Sequence, residues 1–322
     1  MNELQTLTSY IEEQVSGHAF PATPAQLYDP LRYFMTLGGK RMRPVLTIIG
    51  GQLFGVSKEE SIHAALAIEF FHNFSLIHDD IMDAAPVRRG KPTVHTKWNP
   101  NIAILSGDVL FTEAYKQLAH YKDDRLSELL TRFNETATGV CEGQQMDMDF
   151  ETMSTVSKEQ YIEMIRLKTS VLVGCAFEFG AILGRADVGT RRLVYNFGVE
   201  LGIAFQIQDD ILDLYADPEK FGKQVGGDML SNKKTLLLLT AMELAQEKGD
   251  QRVDQLLSMS DPAEKVAAAQ ALFHELNATE ATRLIQDAHY RKALQSLEAI
   301  PIENSRKEPL RRLAEFLMNR EL

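Results

Sequence analysis

Two groups of aspartates carry the strongest chemical signal in the sequence. Asp79, Asp80 and Asp83 occupy three of five consecutive positions inside an apolar, helix-like stretch. Asp79 and Asp83 lie one helical turn apart on one face, where like charges repel and weaken a helix by roughly 0.2–0.5 kcal/mol. The same Asp-Asp-x-x-Asp spacing returns 130 residues later, over residues 209–213. A divalent cation would compensate the repulsion, and Mg²⁺ prefers carboxylates together with substrate phosphates. The two motifs therefore predict Mg²⁺ binding.

Three competing interpretations of the acidic motifs also have to be weighed. One triplet alone would most often be a solvated acidic patch, but its repetition argues against a patch. A calcium site of the EF-hand type places its ligands on a loop, whereas both motifs lie in helical patterns. A di-iron bundle needs paired Glu-x-x-His sequences, and the candidate from Glu69 to His72 has no second copy.

Basic residues occur where a phosphate-bearing ligand would need them. Lys40 and Arg43 lie in a glycine-punctuated turn before a helical pattern, a position where free backbone N–H groups also bind anions. Arg88 and Arg89 follow the first acidic triplet and could hold a diphosphate through paired hydrogen bonds. Lys168 lies in an apolar helical stretch, where a lysine needs a partner. A glycine-bearing loop after the second triplet adds Lys220, Lys223, Lys233 and Lys234. The combination predicts a substrate that carries a diphosphate.

The composition favours a soluble globular protein. The chain has 322 residues, of which 44% are hydrophobic and 25% charged, enough for one large domain. The net charge of −11 argues against a nucleic-acid partner. The two cysteines, Cys141 and Cys175, imply no disulfide framework and favour a reducing cytoplasm. The N-terminal residues lack the features of a secretory signal, and no apolar run approaches the ~20 residues that span a bilayer. We therefore expect a cytoplasmic protein with no transmembrane segment.

The elements that position these residues are predicted to be helices throughout. Apolar residues recur with a helical period, and no stretch alternates with the period of a strand. Ser57 and Ser157 each precede Glu or Gln by three positions, the pattern of a capping box. The sequence thus predicts a single all-α domain over residues 1–322, a bundle around a central active-site cavity. Its helices are expected near residues 3–15, 25–37, 42–53, 58–83, 101–121, 124–150, 158–183, 189–215, 232–247, 262–274, 279–297 and 307–320.

Taken together, the motifs resemble those of the trans-isoprenyl diphosphate synthases of the polyprenyl synthase family, of the geranylgeranyl and farnesyl diphosphate synthase type. The resemblance covers nearly the whole chain. It rests on Gly39-Lys40-x-x-Arg43-Pro44, Ser75 to Asp80, Arg88 to Thr93, Gly107-Asp108, Gly143-Gln144, Lys168-Thr169, Phe205 to Asp213, Gly222-Lys223, Gly227-Asp228 and Lys233-x-Thr235. The chain departs from the family at Asn232, where glycine is frequent, and after Leu236, where proline often follows. These departures affect loop closure more than chemistry.

The resemblance implies an isoprenoid synthase fold and Mg²⁺-dependent head-to-tail (1′-4) condensation of isopentenyl diphosphate with an allylic diphosphate. It implies three Mg²⁺ ions, with metal ligands Asp79, Asp83, Asp209 and Asp213, and Asp210 in support. The implied catalytic residues are Asp79, Asp80, Asp83, Lys168, Thr169, Gln206 and Asp209. The allylic diphosphate site would comprise Arg88, Lys168, Thr169, Gln206, Lys223 and Lys233. The isopentenyl diphosphate site would comprise Lys40, Arg43, His72 and Arg89. The family also implies a homodimer.

Product length is predicted from the residues just before the first triplet. In the family, bulk at the fifth and fourth positions before the first aspartate limits growth. Here these positions hold Phe74 and Ser75, with Phe71 one turn earlier. One aromatic residue and no insertion in the motif favour a C20 product, with C15 next.

The resemblance also leaves rival functions to weigh. They are a medium- or long-chain polyprenyl diphosphate synthase, a non-catalytic subunit of a heteromeric synthase, a terpene cyclase and a helical binding protein. Two intact aspartate motifs with their basic residues argue against the non-catalytic subunit. The second full motif and the Lys40–Arg43 site argue against the cyclase.

Overall fold

Helices account for most of the residues that the computed structural model describes, 2–215 and 226–318. They are α1 Asn2–Ser16, α2 Ala25–Met35, α3 Met42–Gln52, α4 Lys58–Met82, α5 Val94–Lys97, α6 Pro100–Leu118, α7 Arg125–Thr152, α8 Lys158–Ile165, α9 Val171–Leu183, α10 Val188–Tyr215, α11 Gly227–Leu230, α12 Leu236–Glu247, α13 Arg252–Leu257, α14 Pro262–Leu276, α15 Ala278–Ala299 and α16 Asn304–Met318. Two short strands, β1 Val87–Arg88 and β2 Lys91–Pro92, pair as an antiparallel hairpin. The all-α prediction is confirmed. Among the described residues, no helix is both long and apolar enough to cross a bilayer.

Capping side chains begin the helices that the sequence analysis singled out. Ser157 accepts a hydrogen bond from the backbone of Gln160 at 3.1 Å, and the Gln160 side chain accepts one from the Ser157 backbone at 2.8 Å. The predicted capping box is therefore confirmed at α8. Ser57 likewise accepts from the Glu60 backbone at 3.1 Å. There the Glu60 carboxylate pairs instead with Arg125, so the box at α4 is only half formed.

The predicted helix over 158–183 is interrupted. Residues Arg166–Ser170 form a π-helical turn between α8 and α9. The turn lies against Gly143 of α7, where a Cβ atom would come within 2.2 Å of the Lys168 backbone nitrogen. A glycine at 143 is what permits this contact between backbones. π-turns inside α-helices occur frequently at functional sites, and this one carries Lys168 and Thr169.

The chain divides into two compact units. The first comprises Met1–Phe133 and Ala176–Arg191. In it, α4 packs against α3 and α6, and thirteen residues of α4 are buried. Since α4 ends at Met82, this packing fixes the first acidic motif at the end of a rigid helix.

The second unit comprises Asn134–Cys175 and Arg192–Leu322. Its apolar core includes Tyr161, Ile207, Ile211 and Leu236, so α8, α10 and α12 converge there. This core holds the part of α10 that carries the second acidic motif. The prediction of a single domain over residues 1–322 stays a prediction.

Candidate functional site

The first acidic motif lies at the C-terminal end of α4 and divides its carboxylates between the interior and the surface. Asp80 is only 2% exposed. It accepts hydrogen bonds from Arg88, whose Nε lies 2.9 Å from both carboxylate oxygens and whose Nη2 lies 2.8 Å from Oδ1. Asp79 is half-buried and Asp83, the residue that ends the helix, is exposed. The outer aspartates can therefore reach a ligand while Asp80 holds Arg88.

The β1–β2 hairpin explains how Arg88 returns to the helix. Arg89 and Gly90 form its two-residue turn, with φ angles of 52° and 73°. Positive φ at both turn positions matches the twist of the strands that they connect. The turn sends Arg88 to Asp80 and leaves Arg89 beside the Gly38–Gly39 segment. A Cβ atom at Gly39 would come within 2.9 Å of the Arg89 guanidinium, so glycine permits this approach.

The glycine-rich turn and α4 bring Arg43 and His72 together. Arg43 Nη1 donates to His72 Nε2 across 3.2 Å. Among the described residues, the buried Nε of Arg43 has no hydrogen-bond partner, and a buried donor of that kind calls for an acceptor. Burial, and then the charge of Arg43, hold the pKa of His72 well below its ordinary value. Lys40 is exposed on the same turn. The arrangement is a partly desolvated cationic cluster suited to a phosphate oxygen.

The second acidic motif repeats the division seen in the first. Asp210 is 5% exposed, accepts a hydrogen bond from the Tyr161 hydroxyl at 2.6 Å and faces the N-terminus of α12. Burial raises the pKa of Asp210 to about 7. Asp209 and Asp213 are half-buried. One Asp213 carboxylate oxygen accepts from the Asp228 backbone at 3.0 Å, so the first residues of α11 hold this aspartate in place.

Lys168 and Thr169 occupy the π-turn. Lys168 Nζ lies 2.6 Å from the Asp147 carboxylate on α7, so the lysine has the partner that its apolar surroundings require. Gln206 lies one turn before Asp209 and is half-buried, which places both side chains on one face of α10. Lys233 is exposed between α11 and α12. Lys223 and Lys220 fall outside the described residues.

An aromatic cluster surrounds the residues that were predicted to set product length. Phe71 has no exposed surface, whereas Phe74 is half-buried. The Phe74 ring stacks on Phe111 of α6, with centroids 4.9 Å apart and an angle of 13° between planes. Phe71 packs against Phe74, Phe111 and Phe133 with centroid distances of 5.6, 5.6 and 5.3 Å. Ser75 turns its hydroxyl to the His72 carbonyl at 2.9 Å.

Four contributors to the site were missed by the sequence analysis. Asp147 and Tyr161 lie 21 and 49 residues from their partners, and Phe111 lies on a different helix from Phe74. No local pattern connects such pairs. The only signals were indirect, a lysine in an apolar helix that needed an acid and an aspartate in an apolar helix that needed a donor. Arg41, the fourth, stood inside a recognised basic turn without a role of its own.

The carboxylates of the acidic motifs suit Mg²⁺ better than a metal that must be held by three or more converging side chains. Among the described residues, no three His, Cys, Asp or Glu side chains converge on one point. Mg²⁺ does not require such convergence, since it binds through one or two carboxylates and completes its shell with water and phosphate oxygens. The outer aspartates of each motif supply oxygen donors of this kind.

Comparisons with known proteins found relatives that align with most or all of the chain. Residues 24–276 match the model of a family described as polyprenyl synthetase. A short chain isoprenyl diphosphate synthase from Methanothermobacter thermautotrophicus is 36% identical over 100% of this chain and 98% of its own length. A geranylgeranyl diphosphate synthase from Sulfolobus acidocaldarius is 34% identical over 99% and 97%. A solved geranylgeranyl pyrophosphate synthase is 41% identical, with a TM-score of 0.94 and full coverage of both chains.

Proposed function

Because the chain belongs to the polyprenyl synthetase family, we propose that it is a Mg²⁺-dependent prenyltransferase that makes a short-chain all-trans prenyl diphosphate. It joins isopentenyl diphosphate head-to-tail to an allylic diphosphate, with C20 as the main product and C15 as the next candidate. The relatives named short-chain or geranylgeranyl diphosphate synthase support this activity. The observation that carries the proposal is the burial pattern common to the two motifs, in which the middle aspartate is buried and the outer two are half-buried or exposed.

Mg²⁺ is the cofactor that these donors would hold, and three ions are proposed in total. Asp79 and Asp83 are its ligands in the first motif, and Asp209 and Asp213 in the second. Mg²⁺ bound to these aspartates would supply positive charge to offset the charge that develops on the departing diphosphate. Asp80 acts differently in this proposal, because its buried carboxylate orients Arg88 toward the allylic diphosphate.

The basic residues divide between two diphosphates. Arg43, His72, Lys40 and Arg89 bind isopentenyl diphosphate, and the unpartnered Nε of Arg43 supports that role. Donors already held in place stabilise a developing charge without reorganisation during the reaction. The residues proposed to bind or activate the allylic substrate are Arg88, Lys168, Thr169, Gln206, Lys223 and Lys233.

Carbon chemistry requires an apolar environment beside these polar groups. Ionisation of the allylic C–O bond leaves a carbocation, which water would capture. The hydroxyl of Thr169 and the amide oxygen of Gln206 are proposed to stabilise that cation. The double bond of isopentenyl diphosphate then forms the new C–C bond, and a proton is lost to the diphosphate just released.

The decisive experiment measures product mass. Purified protein is incubated with Mg²⁺, dimethylallyl diphosphate and isopentenyl diphosphate, and the products are identified by mass spectrometry. We expect C20 as the dominant product, none of it after chelation of Mg²⁺, and a loss of roughly 10²-fold or more in Asp83→Asn. Asp29→Asn, which changes an exposed acid that pairs with Arg32, is the matched control. Absence of any prenyl diphosphate would refute the function, and products of C30 or above would refute the chain length.

A homodimer and a cytoplasmic location complete the proposal. Light scattering should give a mass near twice that of the 36.2 kDa chain, and a monomeric mass would contradict the dimer. Cys141 and Cys175 form no disulfide, as expected in a reducing compartment.

A further inference from the structure

Arg41 lies between two proposed substrate ligands but points away from them. Its backbone adopts the left-handed conformation, with φ 46° and ψ 32°, at the start of α3. That region is uncommon for residues other than glycine and persists only where the surroundings hold it. The side chain is 4% exposed. Both the backbone and the burial of Arg41 therefore need a cause.

The Arg41 guanidinium joins three separate elements. Nη1 donates to the Glu69 carboxylate of α4 at 2.6 Å. Nε donates to Glu12 of α1 at 3.1 Å, and Nη2 donates to the Met35 carbonyl at the end of α2 at 3.3 Å. Glu69 also accepts from Asn73 at 3.2 Å. A planar guanidinium can satisfy several acceptors in fixed directions at once.

Glu69 connects Arg41 to the proposed isopentenyl diphosphate ligands. His72 follows Glu69 by three residues on α4, and its Nε2 accepts from Arg43 at 3.2 Å. The Arg41–Glu69 pair thus fixes the turn that carries Lys40 and Arg43 against the helix that carries His72. A buried ion pair adds little to stability over apolar residues of the same size, but it can specify one geometry.

We propose that Arg41 is a positioning residue for isopentenyl diphosphate: it touches no substrate and sets the geometry of Lys40, Arg43 and His72. The inference rests on the proposed function, since it assumes that these three groups bind the diphosphate. Pairing with Glu69 also neutralises the charge of Arg41, so the charge offered to the ligand is that of Lys40 and Arg43. The left-handed backbone at Arg41 lets its side chain point into the interior, away from the side chains of Lys40 and Arg43.

Arg41→Lys tests the proposal. Lysine keeps a charge opposite Glu69 but cannot span Glu12, Glu69 and Met35 together. Steady-state kinetics with each substrate varied in turn should show a roughly tenfold rise in KM for isopentenyl diphosphate, with KM for the allylic diphosphate and kcat within about twofold of wild type. Calorimetric titration of isopentenyl diphosphate alone should show the same loss of affinity. Glu69→Gln, which keeps the shape of the partner, should also raise KM for isopentenyl diphosphate.

Arg125→Lys is the matched control. Arg125 is also in the first unit and also joins three places, pairing with Glu60 and Asp123 and donating to the Leu183 carbonyl at 3.2 Å, but it contacts none of the proposed ligands. Its substitution should lower the thermal midpoint and leave both KM values unchanged. Equal rises in both KM values for Arg41→Lys, or unchanged affinity for isopentenyl diphosphate, would overturn the positioning role. A wild-type protein that neither binds isopentenyl diphosphate nor forms product would instead overturn the proposed function, and with it the inference.

Discussion

Replacing Phe74 by alanine should lengthen the product by one isoprene unit. Phe74 is half-buried, whereas Phe71, one turn earlier, has no exposed surface. We therefore expect a growing chain that approaches this cluster to meet Phe74 before Phe71. Phe74→Ala removes roughly six ring carbons, close to the five carbons of one isoprene unit. The expected shift is from C20 to C25.

The structure also limits that extension to one unit. Phe111 packs directly against Phe74, with its centroid 4.9 Å from that of Phe74. The Phe111 ring is itself packed against Phe71 at 5.6 Å and Phe133 at 6.1 Å. The space that Phe74→Ala opens thus ends one ring further on. Loss of the stacked pair costs about 1 kcal/mol, and loss of the half-buried ring brings the total to about 3 kcal/mol, the low end for a Phe→Ala change.

Two variants and two measurements test this reasoning. Product masses are determined after incubation with Mg²⁺, an allylic diphosphate and excess isopentenyl diphosphate, and stability is measured by denaturant unfolding. Phe71→Ala is the matched control, because it removes the same atoms from a fully enclosed position. It should cost about 3–5 kcal/mol and leave the product length unchanged. If Phe74→Ala keeps the wild-type distribution, or if Phe71→Ala lengthens the product as much, the proposed order of the two rings is wrong.

Two further predictions concern a helix contact and a histidine. Gly143→Ala places a Cβ atom 2.2 Å from the Lys168 backbone nitrogen, so it should cost about 3 kcal/mol in unfolding free energy and raise KM for the allylic diphosphate. Gly139→Ala, one turn away with its nearest side-chain atom at 3.4 Å, should gain about 0.5–1 kcal/mol and leave KM unchanged; the reverse order would contradict the close contact. Burial and Arg43 lower the pKa of His72, so the unfolded chain takes up this proton more readily and stability should fall as pH drops below about 6.5. The thermal midpoint should therefore depend less on pH in His72→Gln than in the wild-type protein. Parallel curves of midpoint against pH for the two proteins would refute the assignment of this pH dependence to His72.

Periodicity and motif spacing were enough to predict the helical class and the segments that carry the site. The bounds of α4 and α10 agree with the sequence within one residue. The π-turn at 166–170 could not be predicted, because no local pattern indicates it and its close backbone contact is with a glycine on α7, more than twenty residues away. The β1–β2 hairpin was missed for a different reason: its strands of two residues are too short to show a period, and its signal lies in the Arg89-Gly90 turn.

The limits of the sequence are clearest inside the motifs themselves. Spacing places Asp79 and Asp83 on one face of α4 but does not say which carboxylate of the triplet turns inward. The inward aspartates are paired with residues outside their own helices, Arg88 on the hairpin for Asp80 and Tyr161 on α8 for Asp210.

In the basic turn, as in the two acidic motifs, one ionisable side chain is buried. Arg41 lies in the sequence between the exposed Lys40 and the proposed ligand Arg43. Its side chain is held in the interior by Glu69. In each of the three segments a buried ionisable side chain is paired with a partner on another element. Loss of activity on changing Asp80, Asp210 or Arg41 would therefore not by itself identify a ligand, because a buried side chain can also act by holding other residues in place. Substrate-specific changes in KM distinguish a ligand from a positioning residue. A conservative replacement restores substrate binding to a different extent when a ligand is lost than when a ligand is misplaced.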